Sequence, residues 1–266
     1  MKRDNLIIVK IGGQVVDDKN SLKDFLKQFS EIRDHKILVH GGGKLATELA
    51  NKLNIPVKME EGRRITDKET LDIATMIYAG LINKNIVACL QALNCNAIGL
   101  SGADGNCVKS QKRAVKEIDY GFVGDLNKES VNTDFLLNLL KQNIVPVFNA
   151  ITHDGNGNLL NTNADTIASI LATSLSSIYE VKLVYCFEKT GVLKDANDNS
   201  TLISSINVKE YLNCKEQGII NGGMIPKLDN AFGALNNGVK AVHIGKAEHL
   251  SDLIKSKEHA GTILYN

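Results

Sequence analysis

The chain has no tryptophan, only three prolines and almost no net charge, with 31 lysines and arginines against 30 aspartates and glutamates. A broad basic surface for nucleic acid is therefore not expected. No uninterrupted apolar run approaches the ~20 residues of a membrane span, and Met1–Asp4 lacks the apolar core of a signal peptide. We expect a soluble, cytoplasmic protein that binds neither a membrane nor nucleic acid.

Cysteine is also scarce, and its spacing excludes two kinds of site. The five cysteines are odd in number and form no C-x-x-C pair and no Cys/His spacing of a metal site. They are Cys89, Cys95, Cys107, Cys186 and Cys214. We expect them to be reduced and mostly buried as small apolar side chains, and we expect the chain to supply no metal ligands.

Glycine, by contrast, occurs 22 times, which suits a sheet with many tight turns between strands and helices. Short β-branched runs alternate with segments of helical period, the pattern of βαβ units and a mostly parallel sheet. The predicted strands are Leu6–Lys10, Lys36–His40, Ala97–Ser101, Ile144–Asn149, Val181–Cys186 and Val239–Ile244. The sequence therefore predicts an α/β fold.

Helices are predicted where apolar residues recur at helical spacing. One apolar face comprises Leu22, Phe25, Leu26, Phe29 and Ile32, a second comprises Leu45, Leu49 and Leu53, and a third comprises Leu71, Ala74, Ile77 and Leu81. Thr66–Glu69 fits a capping box at the start of the third. Residues 113–125 predict a hairpin and residues 154–158 a turn before a short strand; either segment is a candidate lid over a site.

Two glycine-rich loops follow predicted strands. Gly41, Gly42 and Gly43 come directly after the strand that ends at His40, and Gly12–Gly13 come after the strand that ends at Lys10. Glycines allow a ligand to approach the backbone, and the N–H groups of a following helix favour an anion. Two such loops, one with a lysine at its entrance, predict a site for a phosphorylated ligand.

Three kinds of site compete for the triple glycine. A Walker A loop is excluded, because Leu38 and Leu45 stand where the motif needs a glycine and a hydroxyl. A dinucleotide-binding turn fits Gly41–Ala46, with Glu60 or Glu61 as the ribose-binding acid, so an NAD-dependent dehydrogenase stays open. Phosphoryl transfer between two facing glycine loops is the third, and it alone uses both loops.

Phosphoryl transfer depends on cations and N–H donors around the moving group. Lys10 at a strand end and Lys227 after a glycine turn are suitable cations, and Asp165 is placed to orient them, although a lone aspartate at a helix start has an equally good structural explanation. His40, at the end of a buried strand, is read as a structural histidine and not as a base.

Six motifs resemble the acetylglutamate kinases of the amino acid kinase family. They occur in the order of that family across nearly the whole chain, and together they are specific. They are Lys10–Gly13, His40–Gly43, Gly62–Asp67, Gly99–Gly105, Asn161–Asp165 and Gly222–Lys227.

The resemblance implies a three-layer α/β/α sandwich with a mainly parallel central sheet. It implies one amino acid kinase domain over residues 1–266, with an acyl-glutamate lobe at 1–177 and a nucleotide lobe at 178–266. It also implies phosphorylation of the side-chain carboxylate of an N-acylglutamate by ATP and Mg²⁺, as a step of arginine biosynthesis.

The resemblance further assigns roles to individual residues. On the catalytic and acceptor side, Lys10 and Lys227 would neutralise the moving phosphoryl group and Asp165 would organise both lysines. The acylated substrate would contact Gly42, Gly43, Arg64 and Asn161. The phosphates would bind Gly12 and Gly13, and the base and ribose would lie against Glu188–Gly191 and Ile219–Asn221, with Glu188, Gly191, Ile219 and Asn221 as the terminal residues of those two segments.

Some alternatives stay open at this point. The acyl group is acetyl or a longer one such as succinyl, whose extra carboxylate would pair with Arg63. A non-catalytic ligand sensor of the same fold is a further alternative, although such a protein would not need Lys10 and Lys227. The chain starts too close to its first strand for an additional N-terminal helix, so we expect a homodimer that arginine does not inhibit.

Overall fold

The computed structural model describes residues 3–60, 63–195, 197–257 and 260–266. The strands of these residues are, in chain order, β1 Asn5–Ile11, β2 His35–His40, β3 Met59–Glu60, β4 Arg63–Arg64, β5 Ala97–Leu100, β6 Gln111–Lys112, β7 Gly124–Asp125, β8 Val145–Phe148, β9 Ile151–His153, β10 Leu159–Asn161, β11 Glu180–Phe187, β12 Ser205–Ile206, β13 Ala241–Lys246 and β14 Gly261–Leu264. The α-helices are α1 Gly13–Asp17, α2 Lys19–Ser30, α3 Gly43–Lys52, α4 Lys68–Thr75, α5 Asn83–Ala92, α6 Thr133–Lys141, α7 Ala164–Leu175, α8 Val208–Glu216, α9 Met224–Asn236 and α10 Leu250–Ile254.

Eight strands form one sheet in the order β12-β14-β13-β11-β1-β2-β8-β5. Every neighbouring pair is parallel except β13 and β14. All six strands predicted from the sequence are present, with ends that differ by up to two residues. The mainly parallel α/β sheet is therefore confirmed.

Helices cover both faces of this sheet. Leu6, Ile7, Ile8 and Val9 of β1 are successive residues and all are buried, which requires cover on both sides because successive side chains point to opposite faces. One helical layer contains α2, α5 and α10, which contact one another through α2, and the other contains α7 and α9. The result is the expected three-layer α/β/α sandwich.

The predicted apolar face of α2 is confirmed, and that of α3 is confirmed for Leu45 and Leu49, which pack against the core, but not for Leu53. In α2, Phe25, Leu26 and Phe29 are buried. In α3 the buried residues are Ala46 and Ala50, and Leu53 is 53% exposed. The α3 helix contacts α4 and the segment after it, and the most deeply buried residues of α3 are the small ones.

The helix predicted after Thr66 begins one residue later than the capping box implied. Asp67 is the N-cap, and its side chain accepts a hydrogen bond from the N–H of Thr70 at 2.8 Å. Thr66 is fully buried, and its backbone N–H donates to the carbonyl of Tyr120. Thr66 thus belongs to the loops beside the site.

A π-helical turn, Met76–Ile82, joins α4 to α5 without a break. The wider turn shifts the helical register, so Leu81 is 51% exposed and Ile82 is buried in its place. By length and composition alone, the run Lys68–Ala92 is apolar enough to cross a membrane, although no uninterrupted apolar stretch marks it. Of the most apolar window of this run, 44% is buried inside the molecule.

Of the two predicted interruptions, one is confirmed and one is corrected. The turn at residues 154–158 joins the antiparallel strands β9 and β10. The segment 113–125 does turn back antiparallel, since β7 pairs with β6 and the N–H of Arg113 donates to the carbonyl of Val123 at 2.8 Å, but the predicted strand through Val115 is not formed. Val115 is 62% exposed, and the residues around it turn back across the surface instead of forming a strand.

Candidate active site

The candidate site lies where three neighbouring parallel strands end. The carboxyl ends of β11, β1 and β2 meet at one edge of the sheet, and the Gly12–Gly13 and Gly42–Gly43 loops follow β1 and β2 there. In open α/β sheets, ligands bind outside the carboxyl ends of the strands. A larger cavity of about 750 Å³ lies at the opposite end of the strands, beside Asn5, His35 and Val145, and contains none of the predicted site residues.

Lys10, Asp165 and Lys227 meet at this edge. The Nζ atom of Lys10 lies 2.7 Å from Oδ1 of Asp165, and the Nζ atom of Lys227 lies 3.0 Å from Oδ2. The three side chains are only 12–15% exposed. One carboxylate therefore holds two ammonium groups close together, with one positive charge left over for an anion.

The burial and the charges of this cluster shift its pKa values. Burial acts most strongly on Asp165 and by itself raises the pKa, but the charges of Lys10 and Lys227 outweigh it and hold the pKa at about 2. Burial lowers the pKa of Lys227, and the charge of Lys10 lowers it further, while Asp165 opposes both effects. The carboxylate is therefore ionised at every physiological pH.

The start of α7 explains how the Asp165 side chain is available. Asn163 is the N-cap of this helix, and its side chain accepts hydrogen bonds from the N–H groups of Asp165 and Thr166 at 2.7 and 3.2 Å. The capping role is thus filled by Asn163. Asp165 does lie in a first helical turn, but its carboxylate points to the lysines.

Two aromatic rings that sequence reasoning missed lie against Lys227. Its Nζ atom is 5.5 Å from the ring centre of Tyr185 and 5.7 Å from that of Phe187. Tyr185 also donates its hydroxyl to the backbone carbonyl of Asp165 at 3.2 Å. Tyr185 lies opposite Lys10 in the parallel register of β11 and β1, a pairing that the sequence analysis did not predict.

A cavity of about 440 Å³ opens from the lysine cluster toward the carboxyl-terminal part of the chain. All the residues predicted for the phosphates, base and ribose line it except Thr190 of the Glu188–Gly191 segment. The lining residues include Gly12, Gly13, Glu188, Gly191, Ile219 and Asn221, together with Lys10 and Lys227. Apolar side chains of Val192, Leu193 and Met224 complete the lining and offer a surface for a flat ring.

Gly12 and Gly13 contribute differently from the prediction that both donate N–H bonds to phosphate. The N–H of Gly12 donates to the carbonyl of Cys186 at 2.8 Å, so it is already committed to the sheet. A β-carbon at Gly12 would lie 3.4 Å from that of Phe187, an ordinary contact, so packing alone does not require glycine there. Gly13 is the first residue of α1, where N–H groups have no partner within the helix.

On the other side of the cluster, the second glycine loop meets Arg64. Nη2 of Arg64 donates to the carbonyl of Gly43 at 2.9 Å and to Oγ1 of Thr47 at 2.8 Å. A β-carbon at Gly42 would lie 2.3 Å from Cδ1 of Ile82, so only glycine fits this position without a shift. The arginine and the loop therefore form one rigid surface.

Asn161 connects to the same surface through Thr66. Its Nδ2 donates to Oγ1 of Thr66 at 3.1 Å, and that hydroxyl donates to the backbone carbonyl of Arg64 at 3.2 Å. The predicted acceptor residues Gly42, Gly43, Arg64 and Asn161 thus lie in one continuous contact chain.

His40 has the structural role that the sequence indicated. Its Nδ1 lies 2.8 Å from the carbonyl of Gly41, and its Nε2 lies 3.1 Å from Nδ2 of Asn83. A carbonyl only accepts, so Nδ1 carries the proton and Nε2 accepts from the amide. Burial lowers the pKa of His40 to about 4, which keeps the ring neutral.

Within the described ranges, no three histidine, cysteine, aspartate or glutamate side chains gather in a way that would hold a metal ion. Asp165 is the carboxylate nearest the lysines, and both of its oxygens face ammonium groups. Both oxygens of Asp165 are therefore paired with ammonium groups and not free to bind a metal ion.

Comparison with known proteins agrees with this geometry. The sequence model of the amino acid kinase family matches residues 5–246. The chain is 55% identical to a protein named acetylglutamate kinase from Cytophaga hutchinsonii, over 97% of this chain and 98% of the relative. It is 52% identical to the acetylglutamate kinase of Phocaeicola vulgatus, over 98% of this chain and 99% of that one.

A solved structure shows the same fold. The protein smu.665 from Streptococcus mutans superimposes with a TM-score of 0.80 at 25% sequence identity, over 98% of each chain. The similarity thus extends through both the glycine-loop side and the cavity side of the site.

Proposed function

Because this chain belongs to the amino acid kinase family, we propose that it transfers the γ-phosphoryl group of ATP to the side-chain carboxylate of an N-acylglutamate. The relatives' name indicates N-acetylglutamate as such a substrate. The observation that carries the proposal is the Lys10–Asp165–Lys227 cluster, which lies between a rigid glycine–arginine surface and a cavity large enough for part of a nucleotide.

The reaction balances without any acid or base. A carboxylate oxygen forms a bond to the γ-phosphorus, and the bond from that phosphorus to the bridging oxygen breaks, which leaves ADP and an acyl phosphate. No proton moves, in agreement with a neutral, hydrogen-bonded His40. The chain's task is to position two anions and to offset the charge on the moving group.

Lys10 and Lys227 provide that charge. In the proposed mechanism Lys10 contacts the transferring phosphoryl group, and Lys227 contacts the oxygen that leaves with ADP. Asp165 keeps both ammonium groups near the reaction path before the substrates bind, so little reorganisation is required when charge develops. The low exposure of the cluster strengthens each of these interactions.

The two substrates would bind on opposite sides of this cluster. We propose that ATP occupies the 440 Å³ cavity, with its base against the apolar lining and its phosphates toward Gly13. The acylated glutamate would lie on Gly42 and Gly43, with a carboxylate on Arg64 and its α-substituents near Asn161. This division corresponds to lobes 1–177 and 178–266, which share one continuous sheet.

Mg²⁺ is proposed as a companion of ATP and not as a resident ion. The described residues offer no cluster of ligands for it, so its ligands would be phosphate oxygens and water. When bound, the ion offsets charge on the phosphates. The residues of the chain that act on the same phosphates are Lys10, Lys227 and Gly13.

The dehydrogenase alternative does not agree with the fold around the triple glycine. Glu60 lies in the exposed two-stranded hairpin of β3 and β4, whereas a ribose-binding acid follows the next parallel strand of the sheet. Glu61 lies outside the described residues. A non-catalytic sensor has no use for a buried pair of lysines on one carboxylate, so we propose an enzyme.

We propose a homodimer in the cytoplasm that serves arginine biosynthesis. β5 is an edge strand with Ile98 partly exposed, and Met76 and Leu81 expose large apolar side chains on the helix nearby. Such an edge is commonly covered by another chain. The cysteines of the chain are all free, as in a reducing compartment. Light scattering that gives twice the chain mass of 28.9 kDa would support the dimer.

An ATP-dependent hydroxamate assay tests the proposed reaction, because hydroxylamine traps only an acyl phosphate. Glutamate, N-acetylglutamate and N-succinylglutamate are the three acceptors to compare. We expect hydroxamate with acylated glutamate and ATP together, and very little with free glutamate. Hydroxamate formation that is independent of ATP, or absent with both acylated substrates, would contradict the proposal.

A further inference from the structure

A third cavity, of about 740 Å³, opens beside the acceptor side of the site, and its lining contains several cationic side chains. Its lining contains Arg63, Arg113 and Lys116 against the two acids Asp125 and Glu117. Cations thus exceed anions by one, before any ligand is present. The proposed reaction as described so far uses none of these five residues.

This cavity is lined by sequence neighbours of two site residues, Arg64 and Asp165. Arg63 lies beside Arg64 in β4, and because neighbouring residues of a strand point to opposite sides, only one of them faces Gly43. Thr166, which also lines the cavity, directly follows Asp165. The backbone connects Arg113 to the acceptor side more directly: its N–H donates to the carbonyl of Val123 at 2.8 Å, and the N–H of Asn161 donates to the carbonyl of the adjacent Phe122 at 2.9 Å.

Arg113 is held rigidly in the cavity wall. Its Nε donates to Oδ1 of Asp125 at 3.1 Å, and its Nη2 donates to the same oxygen at 2.5 Å. The guanidinium lies over the ring of Tyr120, 5.1 Å from the ring centre. The Nε–Nη2 edge of the guanidinium is thus held by Asp125, and the plane of the group is held by the ring of Tyr120.

The other edge of the Arg113 guanidinium, at Nη1, has no hydrogen-bond partner among the described residues. The Nη1 atom is also buried. A buried charged donor without an acceptor is costly, and structures retain few of them without a ligand or a function. The free edge, Nη1 with the remaining N–H of Nη2, has the geometry that binds a carboxylate with two hydrogen bonds.

We infer that the acyl group of the acceptor carries a carboxylate of its own, which binds the free edge of Arg113 with Arg63 beside it. This inference rests on the proposed N-acylglutamate kinase function and specifies its substrate class. A dicarboxylic acyl group such as succinyl meets the requirement, whereas an acetyl group ends in a methyl that leaves Nη1 unpaired. The phosphoryl transfer itself is unchanged, and Arg113 determines specificity without touching the reacting atoms.

The test compares kcat/KM for N-succinyl-L-glutamate and N-acetyl-L-glutamate in the hydroxamate assay, with wild type, Arg113→Gln and Arg63→Gln. We expect wild type to prefer the succinyl substrate by at least about tenfold, as for a charge-assisted hydrogen bond. Arg113→Gln should lower kcat/KM for the succinyl substrate about 10- to 100-fold and leave that for the acetyl substrate within about threefold. Arg63→Gln should act in the same direction with a smaller effect.

Arg33→Gln, at the far end of the strands, is the matched control and should change neither value. If Arg113→Gln does not fold, as seen from its thermal melt, Arg63→Gln and the wild-type preference decide. A wild-type preference for the acetyl substrate, or an equal loss for both substrates in Arg113→Gln, overturns the inference and leaves the kinase proposal intact. No hydroxamate with either substrate overturns both.

Discussion

Lys10 Nζ lies 2.7 Å from Oδ1 of Asp165, an ion pair that joins the central strand β1 to the first turn of α7. Lys227 holds the other oxygen of the same carboxylate, from the first turn of α9. Three distant segments of the chain therefore meet at one point.

Replacing Lys10 by alanine should remove catalysis and keep binding. The ammonium is proposed to contact the phosphoryl group mainly in the transition state, so we expect kcat to fall by about 10³-fold with KM for both substrates nearly unchanged. Steady-state kinetics measure both. Lys240→Ala, which removes an exposed lysine paired with Glu180, is the control and should keep full activity. Near-normal turnover of Lys10→Ala would remove that lysine from the mechanism.

Asp165→Asn should affect both stability and rate. Two buried ammonium groups lose their shared counter-charge, and we expect a loss of about 3 kcal/mol in the free energy of unfolding at pH 7. Because the folded pKa of Asp165, about 2, lies below its unfolded value, its stabilisation is complete above about pH 4 and is lost as the pH falls through 2. Urea unfolding measures the loss at each pH. Asp72→Asn, which breaks an exposed ion pair, should cost less than about 1 kcal/mol.

Phe187→Leu should lower kcat through Lys227. The ring restricts the ammonium from one side, and a desolvated cation–π contact contributes about 1–2 kcal/mol, so we expect kcat to fall about tenfold. Phe187→Tyr keeps a ring and should restore most of the rate. Phe29→Leu removes a buried ring far from the site; it should lower the melting temperature and leave kcat unchanged. Equal kcat in Phe187→Leu and wild type would exclude the ring contact from catalysis.

Gly42→Ala and Gly43→Ala should differ sharply although they are neighbours. A β-carbon at Gly42 would overlap Ile82 and the ring of Tyr78, whereas one at Gly43 meets nothing closer than 3.8 Å. Overpacking of this kind costs about 1–3 kcal/mol, so Gly42→Ala should lower the free energy of unfolding by that amount and Gly43→Ala should not. Chemical denaturation of both variants gives the comparison, and equal stabilities would show that the loop is not confined by these side chains.

The buried His243 should make the fold less stable in acid. Burial, with a smaller contribution from the charge of Lys182, lowers its pKa to about 4, below the ordinary value near 6.5. The unfolded chain therefore takes up a proton first as the pH falls from 6.5 to 4. This effect removes about 2 kcal/mol of stability between pH 7 and pH 5. The variant His243→Val should lose about 2 kcal/mol less than wild type over that range in urea titrations; parallel pH profiles would contradict the assignment.

The sequence predicted the sheet well because burial on both faces leaves a local signal. Runs such as Leu6–Val9 and Leu183–Cys186 are buried at every position, and they lie in the central strands β1 and β11. Helix faces were predicted less reliably. In α3 the leucines indicated the buried face, but the most deeply buried residues are Ala46 and Ala50, while Leu45 and Leu49 are only partly buried and Leu53 is exposed.

The site shows the same limit. Lys10, Asp165 and Lys227 are identifiable from motifs, since each stands beside a loop with its own signature. Tyr185 and Phe187 were missed, because their contact with Lys227 requires the register of β11 against β1 and the position of α9. The commitment of the Gly12 N–H to Cys186 and the unpaired edge of Arg113 likewise follow only from contacts between distant segments.

Phosphorus NMR of the reaction tests the central claim most directly. Wild type, Mg²⁺ and ATP are mixed with an excess of N-succinyl- or N-acetyl-L-glutamate, and the resonances of ADP, inorganic phosphate and any acyl phosphate are followed in time. We predict an acyl phosphate signal that grows as fast as ADP, disappears on addition of hydroxylamine and is absent in Lys10→Ala. Formation of ADP with inorganic phosphate alone, or an equally fast acyl phosphate signal in Lys10→Ala, would contradict the account.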